Sequence, residues 1–220
     1  MDSVSFVISC LREWAKYPGY SVERRIDVLL APYLGQALSE RMRAPVKLVA
    51  AEFPLPHRLF QGEEATRQHV AADYLCLRGG DHPAWILVEL KTDRKSKKDL
   101  QLSAYRAICR EWDMPGVLDT ILATKAKADD SAAYRSLVRK VRRARPKAAK
   151  IELCLIEPTS IRVGGQEKRP AGTSDVNVRE WVVGLREFTA LVKPEPGDIL
   201  WPTLVKLLRG VAASAKGRGF

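Results

Sequence analysis

Residues 69–92 read HVAADYLCLRGGDHPAWILVELKT, and the fold turns on this stretch. Its two apolar runs, 69–77 and 84–92, flank Arg78-Gly79-Gly80-Asp81-His82-Pro83, a segment dense in turn formers, so a β-hairpin is expected. Side chains alternate along a strand, which sets Trp85, Leu87, Glu89 and Lys91 on one face and Ile86, Val88 and Leu90 on the other. Folding the hairpin about residues 80–81 places Asp73 opposite Val88 or Glu89. Two carboxylates then approach one another beside Leu75, Trp85 and Leu87, where like charges repel and burial is costly unless positive charge lies between them. A divalent cation supplies that charge. Oxygen ligands from Asp73 and Glu89, with the Leu90 carbonyl, suit Mg²⁺ or Mn²⁺. Lys91, two residues beyond Glu89, can orient an attacking water and neutralise charge growing on a scissile phosphate.

Working outward, Phe6, Val7, Cys10, Leu11 and Trp14 recur at helical spacing before Tyr17-Pro18-Gly19. A second helix begins near Ser21, a capping residue, with Ile26, Leu29, Leu30, Tyr33, Leu34, Ala37 and Leu38 on one broad apolar face and Pro32 as a kink. From Val46 the period becomes two, so Val46, Leu48, Ala50 and Glu52 are expected on one strand face, ending at Pro54 and Pro56. Residues 57–67 read as a polar loop. After the hairpin a helix is expected from Lys98 to Trp112, a short strand at Val117–Ala123 and a very basic helix at Ser131–Arg145. A strand at Ile151–Ile156, another at Val176–Val183 and a helix near Leu200–Ala213 follow. The class is α/β: a core of helix, three-stranded meander, helix and strand, with added C-terminal strands and helices. One domain over 1–220 is expected, its core at about 21–123 and an extension over 124–220.

At 220 residues the chain is long enough to bury a core without disulfide or metal staples. A hydrophobic fraction of 46%, a charged fraction of 29% and a mean hydropathy of −0.20 exclude disordered, fibrous and membrane-embedded classes. Thirty-seven Lys and Arg against 26 Asp and Glu leave a formal net charge of +11, a field that attracts polyanions. Cys10, Cys76, Cys109 and Cys154 form no Cys-x-x-Cys pair, and His57, His69 and His82 complete no zinc set. Any metal must therefore be held by oxygen, and the scattered thiols fit a reducing compartment. No apolar run approaches the roughly 18 residues of a membrane span, and the start lacks a basic leader. A cytoplasmic protein without a membrane partner is expected.

Together, Asp73, Glu89-Leu90-Lys91 and the downstream Gln101-Leu-Ser-Ala-Tyr105 resemble the PD-(D/E)XK nuclease superfamily, over Val70–Tyr105. Asp73 matches the first acidic position, with Ala72 where the named proline would stand, and Glu89-Leu90-Lys91 matches the (D/E)XK element. Gln101 and Tyr105 match the Gln-x-x-x-Tyr element of the RecB-like and Cas4-like branch; four residues apart, they share a helix face. The resemblance implies a restriction-endonuclease-like core, Mg²⁺ or Mn²⁺ as cofactor, and DNA contact by Gln101 and Tyr105. The cysteines that hold an iron-sulfur cluster in some Cas4-like proteins have no counterpart here. It also implies a further acid, for which Glu23 on the first core helix and Glu52 at the end of a strand face are both candidates.

Arg94, Lys95, Lys97 and Lys98 directly follow the motif strand, where a nucleic-acid backbone leaving the metal would pass. A second cluster, Arg135, Arg139, Lys140, Arg142, Arg143, Arg145 and Lys147, contains no acid, and a polyanion partner explains it better than a solvated face. Arg139, Arg142 and Arg143 are its central candidates. The expected function is metal-dependent phosphodiester hydrolysis in nucleic acid, DNA before RNA, with Asp73, Glu89 and Lys91 as the catalytic set. The competing reading is a non-catalytic nucleic-acid-binding or scaffold protein that keeps the fold, and protein partners or homo-oligomers stay open.

Overall fold

The hairpin forms as its turn residues dictate, in the computed structural model of the chain: β2 (Ala71–Arg78) and β3 (Ala84–Leu90) pair antiparallel from Arg78↔Ala84 to Tyr74↔Val88. Gly80 turns the chain with φ of 83°, a region that costs glycine nothing. The register decides between the two expected partners of Asp73. With Tyr74 opposite Val88, Asp73 and Glu89 are the next residues beyond the last registered pair.

The described residues are Phe6 and residues 25–55, 71–91, 99–125, 131–144, 150–157, 178–202, 204–206 and 208–209. Helix α1 (Arg25–Met42) and strand β1 (Val46–Pro54) precede the hairpin. Helices α2 (Asp99–Glu111), α3 (Met114–Lys125) and α4 (Ser131–Ala144) follow it, then strands β4 (Ile151–Glu157) and β5 (Glu180–Gly184) and helix α5 (Leu185–Leu191). The described residues of 200–209 are helical. Five strands make one mixed sheet in the order β1-β2-β3-β4-β5, with β1, β2 and β3 antiparallel and β4 and β5 joining in parallel. The fold is α/β. Two of its five strands come from the stretch expected as an extension.

Alternation along the strands feeds two cores. On one face, Leu30, Leu34 and Leu38 of α1 and Phe188 of α5 close over Tyr74, Cys76, Ile86, Val88, Cys154 and Ile156. On the other, Tyr105 and Ile108 of α2, Val117 and Ile121 of α3 and Leu137 and Val141 of α4 cover Leu75, Trp85, Leu87, Leu153 and Leu155. Each fully buried leucine here contributes about 1.5–3 kcal/mol relative to exposure. Pro32 sits inside α1 as expected. Arg43, with φ of 51°, turns the chain out of that helix toward β1. Among the described residues no helix is long and apolar enough to cross a membrane.

Three expectations need correction. The strand expected at Val117–Ala123 is helix α3, because Val117, Leu118 and Ile121 are buried at helical spacing and Asp113 Oδ1 caps the Gly116 N–H at 2.8 Å. The strand after the basic helix, β4, is the one that pairs with β3. The expected common face of Val46, Leu48, Ala50 and Glu52 is broken by a bulge between Leu48 and Ala50, which moves Ala50 to the core opposite Val46 and Leu48. Trp112, expected on the apolar face of α2, lies beyond it with 36% of its surface exposed. Helix α5 was not expected at all. The expected first helix apart from Phe6, Ser21 with Glu23, and the loop at 57–67 lie outside the described residues.

Candidate metal centre

Asp73 enters its position through the β2–β3 pairing, and its Oδ2 accepts the Leu90 N–H at 2.5 Å. Leu90 thus contributes its amide to the site's scaffold. Glu52 comes from the far end of β1: the register Ala51↔Tyr74 and Phe53↔Ala72 brackets Glu52 and Asp73 as facing residues. Glu52 also holds φ at 48°, a left-handed conformation that costs a non-glycine residue about 1–2 kcal/mol. Such strain concentrates at functional sites. Asp27 arrives from the first described turns of α1, tied to the sheet by Tyr74, whose hydroxyl donates to the Asp27 carbonyl at 2.5 Å. A carboxylate oxygen from each of Asp27, Glu52 and Asp73 lies within 4.8 Å of the others.

The triad fits a hard divalent cation. Octahedral Mg²⁺ or Mn²⁺ with oxygen about 2.1 Å away sets its ligand atoms about 3–4 Å apart, so small rotations of these side chains would close the set. The donors are all oxygen, as Mg²⁺ and Mn²⁺ prefer. Of the two acids expected to assist, Glu52 joins the cluster and Glu23 lies outside the described residues. Asp27 was not among the expected residues. Its place rests on the packing of α1 against the sheet, through the Tyr74 hydroxyl on its carbonyl, and no local sequence pattern carries that.

Glu89 and Lys91 flank Leu90, whose amide Asp73 accepts, and are bound to each other; Glu89 is not one of the three clustered carboxylates. Lys91 Nζ donates to Glu89 Oε1 at 2.5 Å and to Gln101 Oε1 at 3.2 Å. Gln101 Nε2 donates to the Tyr105 hydroxyl at 2.7 Å, and that hydroxyl lies 2.8 Å from Glu89 Oε2 and 2.9 Å from the Ala71 carbonyl. Asp73, Glu89 and Lys91 are each at most 6% exposed, and Tyr105 is wholly buried. Burial, then the Glu89 charge and its hydrogen bond, then Asp73, hold the Tyr105 hydroxyl well above its usual titration range. Tyr74 is raised by burial and then by Asp27, Asp73 and Glu52. Both phenols stay protonated and act as donors.

The expected basic surface divides. Arg94, Lys95, Lys97, Lys98, Arg145 and Lys147 lie outside the described residues. Arg135, Arg139, Lys140, Arg142 and Arg143 line the exposed side of α4, whose inner side buries Tyr134, Leu137, Val138 and Val141. The cluster has a counter-charge that its own helix does not supply: Arg142 pairs with Asp119 of α3 at 2.6 Å. No protein family, curated protein or solved structure matches the chain.

Proposed function

We propose that the chain is a metal-dependent nuclease that hydrolyses phosphodiester bonds in nucleic acid, DNA before RNA, on a restriction-endonuclease-like core. What supports the reading is the place of Asp73: it belongs to three carboxylates able to hold a hard cation, and its Oδ2 accepts the amide of Leu90, the residue between the buried, ion-paired Glu89 and Lys91. Asp73 and Glu89 serve as ligands with Glu52, Asp27 and the Leu90 carbonyl as further oxygen donors. Bound Mg²⁺ or Mn²⁺ would polarise the phosphate and make a coordinated water easier to deprotonate. Lys91 holds the water in line and offsets the charge that develops on the phosphate. The exposed arginines of α4 hold the backbone of the substrate by charge, independent of its sequence.

The deep burial of Glu89 and Lys91 favours a second reading, a nucleic-acid-binding protein that keeps the arrangement without turnover. Plasmid and labelled single-stranded DNA incubated with either metal separates the two. The nuclease reading expects cleavage that EDTA stops and that Asp73→Asn abolishes. DNA binding without cleavage, the same in wild type and Asp73→Asn, would favour the second.

A further inference from the structure

We infer that Gln101 and Tyr105 are positioning residues that hold Glu89 and Lys91 in their working arrangement, rather than contacts to substrate. The inference rests on the nuclease reading for the roles of Glu89 and Lys91, while its geometry stands apart from it.

The four side chains form a closed ring. Lys91 donates both to Glu89 Oε1 and to the Gln101 amide oxygen; the Gln101 amide nitrogen donates to Tyr105; and the Tyr105 hydroxyl reaches Glu89 Oε2. Every donor and acceptor runs in one consistent sense, from the ammonium to the carboxylate by two routes. Lys91 and Glu89 are thereby joined once directly and once through Gln101 and Tyr105. Such a ring fixes both carboxylate oxygens, leaving further lone pairs on each for a cation. The same hydroxyl lies 2.9 Å from the Ala71 carbonyl at the start of β2, a second acceptor for its single proton, and the charged carboxylate of Glu89 is the stronger of the two. A substrate contact needs an accessible atom, and Tyr105 has no exposed surface. Gln101 is partly exposed, yet both ends of its amide face inward to Lys91 and Tyr105. The four-residue spacing on α2 serves to span the distance from Lys91 to Glu89 Oε2. Partners of this kind, which orient a ligand without touching the metal, typically change metal affinity or activity 10–100-fold when removed.

Tyr105→Phe and Gln101→Ala in the full chain test this, with Mn²⁺ affinity by calorimetry, melting temperature, and kcat and KM on DNA. The expected result is kcat lower by about 10–100-fold, Mn²⁺ binding weaker by about 10-fold, and KM changed by less than about 2-fold. A raised KM with kcat and Mn²⁺ affinity intact would overturn the inference in favour of substrate contact. Should Tyr105→Phe fail to fold, Gln101→Ala at its part-exposed position carries the same comparison. A wild-type chain that binds Mn²⁺ but cleaves nothing ends the nuclease reading and leaves the inference to Mn²⁺ affinity, where weakening upholds it and no change overturns it.

Discussion

Glu89 and Lys91 are buried together at 4% and 6% exposure, so each is the other's compensation for leaving water. Removing one partner of such a pair leaves an uncompensated charge, which costs about 3–5 kcal/mol. Glu89→Ala is therefore expected to lower the melting temperature by roughly 10 °C, at about 2–4 °C per kcal/mol for a chain of this size. A Glu89→Gln, Lys91→Met double variant recovers most of that loss in thermal melts; additive losses would refute the coupling. Glu52 presents the opposite case, in which strain stays in the fold. Its φ of 48° suits glycine, so Glu52→Gly is expected to be more stable than Glu52→Ala by about 1 kcal/mol. Both variants are expected to be stabilised less by Mn²⁺ than the wild type in thermal melts. Equal stabilities for the two would place the strain elsewhere.

At the scale of elements, α4 turns four buried apolar residues inward and five cations outward. Replacing Arg135, Arg139 and Arg143 with alanine is expected to lower the slope of log affinity against log salt for duplex DNA by about 2–3, since each phosphate contact contributes about 0.9. An unchanged slope would remove α4 from the interface. The elements also explain what could be read in advance. The hairpin was legible because turn formers bound two strands whose alternating residues commit to separate cores, and a one-residue slip would have exposed both sets. Its register brought Asp73 and Glu89 to the same end of the sheet, and α2 was legible from the spacing of Ala104 and Ile108. Val117–Ala123 misled because a short apolar run rich in leucine, isoleucine and valine suits a buried strand or a buried helix equally, and the deciding Asp113 cap lies outside the run. The bulge in β1 carries no glycine or proline to mark it, so the face of Ala50 could not be read. Asp27 stayed hidden because its role depends on how α1 lies against Tyr74 and β1, a long-range arrangement.

Across the whole molecule, the two cores bury Cys76, Cys109 and Cys154. Burial pushes the Cys109 and Cys154 thiols up to about 12 from an ordinary 9.0, and Cys76 rises for the same reason. Between about pH 9 and 12 the unfolded chain ionises these thiols and the folded chain does not. Stability is accordingly complete below pH 9 and falls above it, by about 1.4 kcal/mol per pH unit for each thiol. Denaturant melts at pH 8, 9.5 and 11 check this, and a midpoint unchanged at pH 11 would contradict it. The sheet that carries these cores also draws Asp27, Glu52 and Asp73 together from a helix and two strands, with Asp73 bonded to the amide of Leu90 between Glu89 and Lys91. The most direct test is an anomalous difference map from crystals soaked in Mn²⁺. The account predicts a peak about 2–2.3 Å from carboxylate oxygens of Asp73 and Glu52, within reach of Glu89, and absent from Asp73→Asn. No peak at that corner in millimolar Mn²⁺, or one held only by residues elsewhere, would contradict it.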